Sequence, residues 1–231
     1  MMDFFSRKEL VAQIGYPVTE WPLVVAKELL DNALDACEDA SEPPEITIKV
    51  DPTGITVADN GPGIPASTVE GILDFTIRVS SREVYVSPTR GAQGNALKTI
   101  LAMPFVLDGE QGRVEIEARG VHHDIRVGVD RIRQEPAIHY EPTPTEIVRS
   151  GTSVKIHWPD LPRLDEADPS EEFGYEARDA SDDPPDLPRL LCESRGRFLQ
   201  FAEDYTWLNP HLTLTVDWCG TITTVQATDP A

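Results

Sequence analysis

The sequence has 231 residues, 40% of them hydrophobic and 26% charged, with a net charge of −20. That length and apolar content fit one folded domain and exclude a disordered chain, and the acidity excludes nucleic-acid binding through bulk charge. No apolar run approaches the ~20 residues of a membrane span, and no basic-then-apolar leader opens the sequence. Three scattered cysteines, Cys37, Cys192 and Cys219, contain no C-x-x-C pair, which argues against a disulfide framework or a zinc site. The expectation is a cytoplasmic protein with all three thiols reduced and buried.

In chain order, Phe4 to Ile14 reads as a short helix stopped by Gly15-Tyr16-Pro17. Thr19 is a candidate cap for a second helix, with Pro22 in its first turn, running to about Ala40. Ile46 to Val50 alternates as a strand, Pro52-Thr53-Gly54 reads as a turn, and Ile55 to Ala58 returns as a hairpin. Gly61-Pro62-Gly63 is a loop, and Ser67 is a candidate cap for a short helix through Leu73. Arg78 to Gln93 looks irregular, and a helix is predicted from Asn95 to Met103. Arg113 to Ala118, His122 to Val129 and Ser153 to His157 read as strands.

Residues 159 to 189 are rich in Pro, Asp and Glu and read as a flexible insertion. Leu190 to Tyr205 has a helical pattern, and Leu212 to Val216 with Thr221 to Val225 forms a closing hairpin around Cys219-Gly220. Antiparallel strands beside several helices give an α+β two-layer sandwich in one domain over 1–231.

Charge is unevenly spread. Asp160 to Asp186 carries eleven acidic residues against Arg163 and Arg178. Arg78 to Lys98 carries Arg78, Arg82, Arg90 and Lys98 against Glu83 alone. A basic stretch in an acidic chain suits a small anionic ligand, although a solvated loop reads the same way.

Three segments carry chemistry. In Ala26 to Cys37, Glu28, Asn32 and Asp35 share one helix face opposite an apolar one. A carboxylate one turn from a carboxamide can polarise a water while the amide oxygen meets a hard cation such as magnesium. An ordinary wet helix face has the same pattern. In Val57 to Pro65, Asp59 ends a strand and is followed by Gly61 and Gly63. Its carboxylate can accept a hydrogen bond from an exocyclic amine such as that of adenine, and glycines let a flat ring approach the chain. In Thr89 to Lys98, glycines run into a predicted helix start flanked by basic residues, the makings of an anion site.

Together, in this order and spacing, the three segments resemble the GHKL (Bergerat-fold) ATPases, a family that includes gyrase B, heat-shock chaperone ATPases, histidine kinases and MutL. The helix is similar to the N-box, Asp59 to Gly63 to the G1 box, and Gly91 to Gly94 to the G2 box and ATP lid. Within the family, "DNALDACEDA", "ADNGPGIP", "SSR" and "RGAQG" are most similar to the ATPase domain of topoisomerase VI B subunits. "FFSRKELVAQIGY" resembles their N-terminal strap (residues 1–15), and "WLNPHLTLTV" the end of that domain within 190–231.

The resemblance implies a mixed, mostly antiparallel sheet backed by helices, with ATP and Mg2+ as cofactors. It implies Glu28 as the general base for water, Asn32 as the magnesium ligand, and Asp59 as the partner of the adenine amine. Asp35, Gly61, Gly63 and Ile64 would belong to the nucleotide pocket. Arg90, Gly91, Ala92, Gln93, Gly94, Asn95 and Lys98 would belong to the phosphate and lid side. Thr152 would be the strand threonine supporting Asp59. Ala96 stands where the family's third glycine is expected. The family's catalytic lysine belongs to a transducer domain after the ATPase domain, and residues 1–231 end about where that ATPase domain would end.

The implied protein is an Mg-dependent ATPase that dimerises through its strap when ATP orders the lid. It would operate a second protein, one that cleaves DNA, with DNA contact left to that partner. Phe4, Phe5, Leu10 and Val11 in the strap are expected to need apolar cover from a second copy. Alternatives are a nucleotide sensor that binds without turnover, a chaperone-like protein, and a kinase. The five histidines, His122, His123, His139, His157 and His211, show no phosphoacceptor-helix context for the last.

Overall fold

The computed structural model describes residues 5–73, 96–130, 135–148, 150–158 and 187–229. Helix α1 (Arg7–Ile14) starts at Ser6, whose side chain accepts from the Glu9 amide, and ends at Gly15, where φ is 78°. A single 3₁₀ turn over Val18–Glu20 then feeds helix α2 (Trp21–Ala40). Thr19 therefore lies inside that turn and caps nothing: α2 begins at Glu20 without a side-chain cap, and Pro22 occupies its first turn. The hairpin of β1 (Glu45–Asp51) and β2 (Gly54–Asp59) follows as expected.

Helix α3 (Ala66–Ile72) is preceded by Pro65 rather than capped by Ser67, which sits in its first turn. Helix α4 (Ala96–Asp108) outruns the predicted end at Met103 and carries Pro104 within it. Pro104 removes one backbone donor. Burial of Ile100, Leu101, Met103 and Phe105 against the core keeps the segment helical past it.

Strands β3 (Gly112–Ala118), β4 (Val121–Asp130), β5 (Glu135–Pro144) and β6 (Thr152–His157) come next. Strand β5 had no counterpart in the sequence pattern. Its three prolines weaken a strand signal, but an edge position tolerates them, and β5 is an edge. Helix α5 (Leu187–Leu208) begins three residues before the predicted helix and within the segment read as insertion; residues 159–186 lie outside the described residues. The closing hairpin of β7 (Thr213–Trp218) and β8 (Thr221–Val225) turns on Cys219 and Gly220, both at positive φ.

The eight strands form one mixed sheet in the order β5-β4-β3-β6-β2-β1-β7-β8. Among the described residues β1 and β7 make its parallel pair, and every other pairing is antiparallel. Strand alternation decides the layers. Ile46, Ile48 and Val50 of β1, Val114 and Ile116 of β3, and Leu214 and Val216 of β7 are buried on one face. Their neighbours Thr47, Lys49, Arg113, Glu115 and Thr215 point the other way. Helix α2 packs on β1 and β2, α4 on β3, β4 and β6, and α5 on β7 and β8.

Two expectations are corrected by burial. Phe5 and Leu10 are already covered within the chain, Phe5 by an edge-on contact with Phe105 at 5.6 Å, so they need no second copy to hide them. Cys37 is buried, but Cys219 is exposed because it occupies the tight turn between β7 and β8. Among the described residues no helix is long and apolar enough to cross a membrane.

Candidate functional site

The carboxyl end of β2 is the organising point. Asp59 Oδ1 accepts hydrogen bonds from the Gly61 amide at 2.9 Å and the Thr152 amide at 3.1 Å. The second donor arrives because β6 pairs antiparallel with β2 and starts beside its end. Thr152 Oγ1 in turn accepts from the Ile64 amide at 3.2 Å, and Gly151 donates to the Gly61 carbonyl at 2.8 Å. The loop after β2 and the start of β6 are thus sewn together by backbone groups.

Two glycines make this approach feasible. At Gly151, φ is +80° and a Cβ would stand 2.0 Å from the Asp59 carbonyl oxygen. At Gly63, φ is +78° and a Cβ would stand 2.8 Å from the Gly151 carbonyl oxygen. Both the conformation and the space exclude a side chain. Arg119, in the turn between β3 and β4, donates from Nε to the Pro62 carbonyl at 3.1 Å and braces the same loop.

Burial pushes the Asp59 carboxyl above the ordinary aspartate range, and the Gly61 and Thr152 amides only partly offset this. Beneath the loop lies Cys37, whose thiol is raised to about 11, first by burial and then by the Asp59 charge. Its Sγ donates to Asn60 Oδ1 at 3.4 Å. Asn60 also accepts from the Glu45 amide and donates to the Pro43 carbonyl, both at 2.9 Å. Asn60, adjacent to Asp59 in the motif, therefore ties the start of β1 to the loop.

Asp59, Thr152 and Asn32 are the polar walls of a cavity whose free space, including the part open to solvent, is about 350 Å³. Its apolar walls are Leu29, Ala33 and Ala36 of α2, Val57 of β2, Ile64, Leu97 of α4 and Val154 of β6. A mostly apolar cavity with one carboxylate at its wall is suited to a heterocycle bearing an amine donor. Among the described residues the backbone uses only Oδ1 of Asp59, which leaves Oδ2 as a further acceptor at the cavity wall.

The polar face of α2 borders this cavity. Asn32 Nδ2 donates to the Glu28 carbonyl at 2.8 Å, which commits the amide nitrogen and leaves the carboxamide oxygen for a cation. Glu28 lies one turn earlier, half-exposed and outside the cavity lining, with Oε1 3.2 Å from Lys27 Nζ. Lys27 also meets Asp31 at 2.8 Å, and Asp31 accepts from Tyr205 Oη on α5 at 2.8 Å. Partial burial lowers the Lys27 ammonium, but Asp31 and Glu28 outweigh it and hold it above the ordinary lysine value. Among the described residues no cluster of three His, Cys, Asp or Glu is arranged for a metal. A cation held by Asn32 would therefore draw its other ligands from phosphate and water, as magnesium does.

The structure thus brings Asn32, Asp59, Ile64 and Thr152 together around one cavity, with Gly61 and Gly63 in its loop. Asp35 is buried and Lys98 is buried in α4, and neither lines the cavity. Arg90, Gly91, Ala92, Gln93, Gly94 and Asn95 lie outside the described residues. Motif spacing does not single out Lys27, Asp31, Tyr205, Gly151 or Arg119. The i, i+4 spacing of Lys27 and Asp31 is a signal that could have found that pair. Tyr205, 174 residues away from Asp31, gives none.

At 28% identity over 164 residues the chain is similar to the B subunit of type 2 DNA topoisomerase 6 from Natronomonas pharaonis, covering 67% of this chain and 20% of that protein. Its counterpart from Archaeoglobus fulgidus is 27% identical over 160 residues, covering 67% and 26%. The chain therefore spans about a quarter or less of the length of these curated relatives.

Among solved structures, the Aquifex aeolicus MutL ATPase domain in complex with ADP aligns at a TM-score of 0.46 and 17% identity, covering 89% of this chain and 63% of that one. The 43K ATPase domain of Thermus thermophilus gyrase B aligns at 0.44 and 20% identity, covering 88% and 45%. The family model for histidine kinase-, DNA gyrase B- and HSP90-like ATPases matches residues 20–162, a span that runs from the start of α2 past the end of β6. By that match the chain belongs to the histidine kinase-, DNA gyrase B- and HSP90-like (GHKL) ATPase family.

Proposed function

We propose that this chain binds ATP with magnesium between the Asp59 corner and α2, and that it hydrolyses the nucleotide with Glu28 as general base. The observation that carries the reading is Asp59. One of its oxygens is held by two backbone amides and the other is left as an acceptor at the wall of a largely apolar cavity. Oδ2 accepts from the adenine amine, while Leu29, Ala33, Ile64 and Val154 cover the ring faces. Asn32 offers its carboxamide oxygen to the cation, which screens the phosphate charge. Glu28 takes the proton from the attacking water. Gly61 and Gly63 let the base approach the loop, and Arg90, Gly91, Ala92, Gln93, Gly94, Asn95 and Lys98 are assigned to the phosphates from the sequence.

The reading extends to assembly. The curated relatives are named as the B subunit of a type 2 DNA topoisomerase. By analogy the chain forms an ATP-dependent dimer and operates a second protein in DNA processing. A charge of −20 opposes self-association, so the nucleotide must favour the dimer differentially. Sedimentation with a non-hydrolysable ATP analogue tests this, and a monomer at saturation removes the dimer from the reading.

The core test has two arms. ATP with magnesium at ~100 times its dissociation constant stabilises the fold by about 2.7 kcal/mol, and an unshifted thermal melt in millimolar nucleotide rejects the site. Glu28→Ala lowers turnover by roughly 10²- to 10⁴-fold with ATP affinity retained. Hydrolysis by that variant at the parent rate removes Glu28 from its role.

A further inference from the structure

One charged network on α2 is not needed to hold a nucleotide. Asp31 has a side chain only 3% exposed, yet both of its oxygens are satisfied: Oδ2 by Lys27 Nζ and Oδ1 by Tyr205 Oη, each at 2.8 Å. Lys27 has its own stem 45% exposed and reaches back to Glu28 Oε1 at 3.2 Å. A lysine on an exposed stem ordinarily samples many rotamers. Here a buried carboxylate fixes its ammonium, and that carboxylate is itself fixed from another helix.

Helix α5 supplies the outer anchor, and α5 is held against α2 at a second point by the bidentate Arg197–Glu20 pair. Glu20 meets Arg197 and Asp31 meets Tyr205, so the two helices run parallel along this seam. The Tyr205 ring is further located by Phe201, with centroids 4.4 Å apart. The charged and titratable groups joined to Glu28 in the described chain are therefore Lys27 and Asp31 on α2 and Tyr205 on α5.

We propose that Asp31 and Tyr205 hold Lys27 as a positioning residue for Glu28, so that the closing helix α5 sets the orientation of the carboxylate that activates water. This rests on the reading of Glu28 as the base. Lys27 touches the base rather than the substrate. Its ammonium restricts the rotamers of Glu28, and the Tyr205 hydroxyl makes that restraint depend on where α5 sits.

The test uses Tyr205→Phe, which keeps the ring against Phe201 and deletes only the hydroxyl, together with Lys27→Met and Lys27→Arg. The first readout is the side-chain mobility of Glu28, followed by ¹³C relaxation at its Cγ on the ligand-free chain. Lys27→Met raises it to that of an unrestrained glutamate, because the ion pair that limits its rotamers is lost. Tyr205→Phe raises it less, and Lys27→Arg keeps it at the parent level. The second readout is kinetic. Tyr205→Phe lowers kcat about three- to tenfold, the range expected for one hydrogen bond, with KM for ATP unchanged.

An unchanged Glu28 mobility in Lys27→Met overturns the proposal by itself, whatever the turnover. So does a Tyr205→Phe variant whose loss lies in KM rather than kcat. If Glu28→Ala is inactive and Tyr205→Phe hydrolyses normally, the base reading stands and this inference fails. If Glu28→Ala keeps parent activity, it is the base reading that fails.

Discussion

The two carboxylates of the site are held in opposite ways. Asp59 is fixed by main-chain amides of Gly61 and Thr152, which cannot shift without unpairing β2 from β6. Glu28 is held by a single side chain, Lys27, whose own position depends on Asp31 and Tyr205. Backbone donors set by sheet register are in place before any ligand arrives and require no reorganisation. A side-chain ion pair at a half-exposed position exchanges readily with water. The Asp59 corner is therefore preorganised, whereas the Glu28 face of α2 can respond to neighbouring elements.

The strongest way to break that contrast is Gly151→Ala. The added Cβ would overlap the Asp59 carbonyl oxygen at 2.0 Å, in a conformation that L side chains rarely adopt. Denaturant unfolding should show a loss of about 3 kcal/mol, together with loss of ATP binding. A variant as stable as its parent would show that the corner is not rigid.

Asp59→Asn comes next. An amide can present a donor where the adenine amine needs an acceptor, and calorimetry should show affinity down by roughly tenfold to a hundredfold. The carboxyl is held above the ordinary aspartate range by burial, so two pH effects of opposite sign follow. Binding needs the ionised form, and affinity falls as pH drops through the raised value. Folding favours the protonated form, so this group's contribution to stability is present at low pH and falls as pH rises through the same value. In Asp59→Asn both dependences should vanish, and their persistence would assign them to another group.

Thr152→Val removes the acceptor of the Ile64 amide but keeps the shape and the backbone donor to Asp59. The expected loss of stability is about 1 kcal/mol, with a modest fall in ATP affinity. An affinity loss as large as that of Asp59→Asn would mean that Thr152 itself contacts the ligand.

The smallest effect is a difference in thiol reactivity. Cys219 is exposed, whereas Cys37 is buried and raised to about 11, so an alkylating reagent at neutral pH should modify Cys219 well before Cys37. Equal rates would indicate that the floor of the corner opens.

Much of the site was legible in order and spacing. Glu28, Asn32, Asp59, Gly61 and Gly63 are local signals, because helix periodicity and turn chemistry act over a few residues. The boundaries that went astray had tertiary causes. Burial carries α4 past Pro104, the edge position accommodates the prolines of β5, and a preceding 3₁₀ turn takes Thr19 out of the cap. Cys219 was expected inside and is outside because two positive-φ residues are needed for its turn.

By itself the sequence determined the family's three motifs, the α+β alternation and the hairpins, since these depend on residue periodicity and on short-range backbone preferences. The family resemblance already paired Thr152 with Asp59, 93 positions away, but only the tertiary structure decided that Gly151 stands against Asp59 and that Tyr205 reaches Asp31 from 174 positions away. Such pairings follow from strand order and helix docking. These are settled by burying one face of the whole sheet at once, and no local spacing records them.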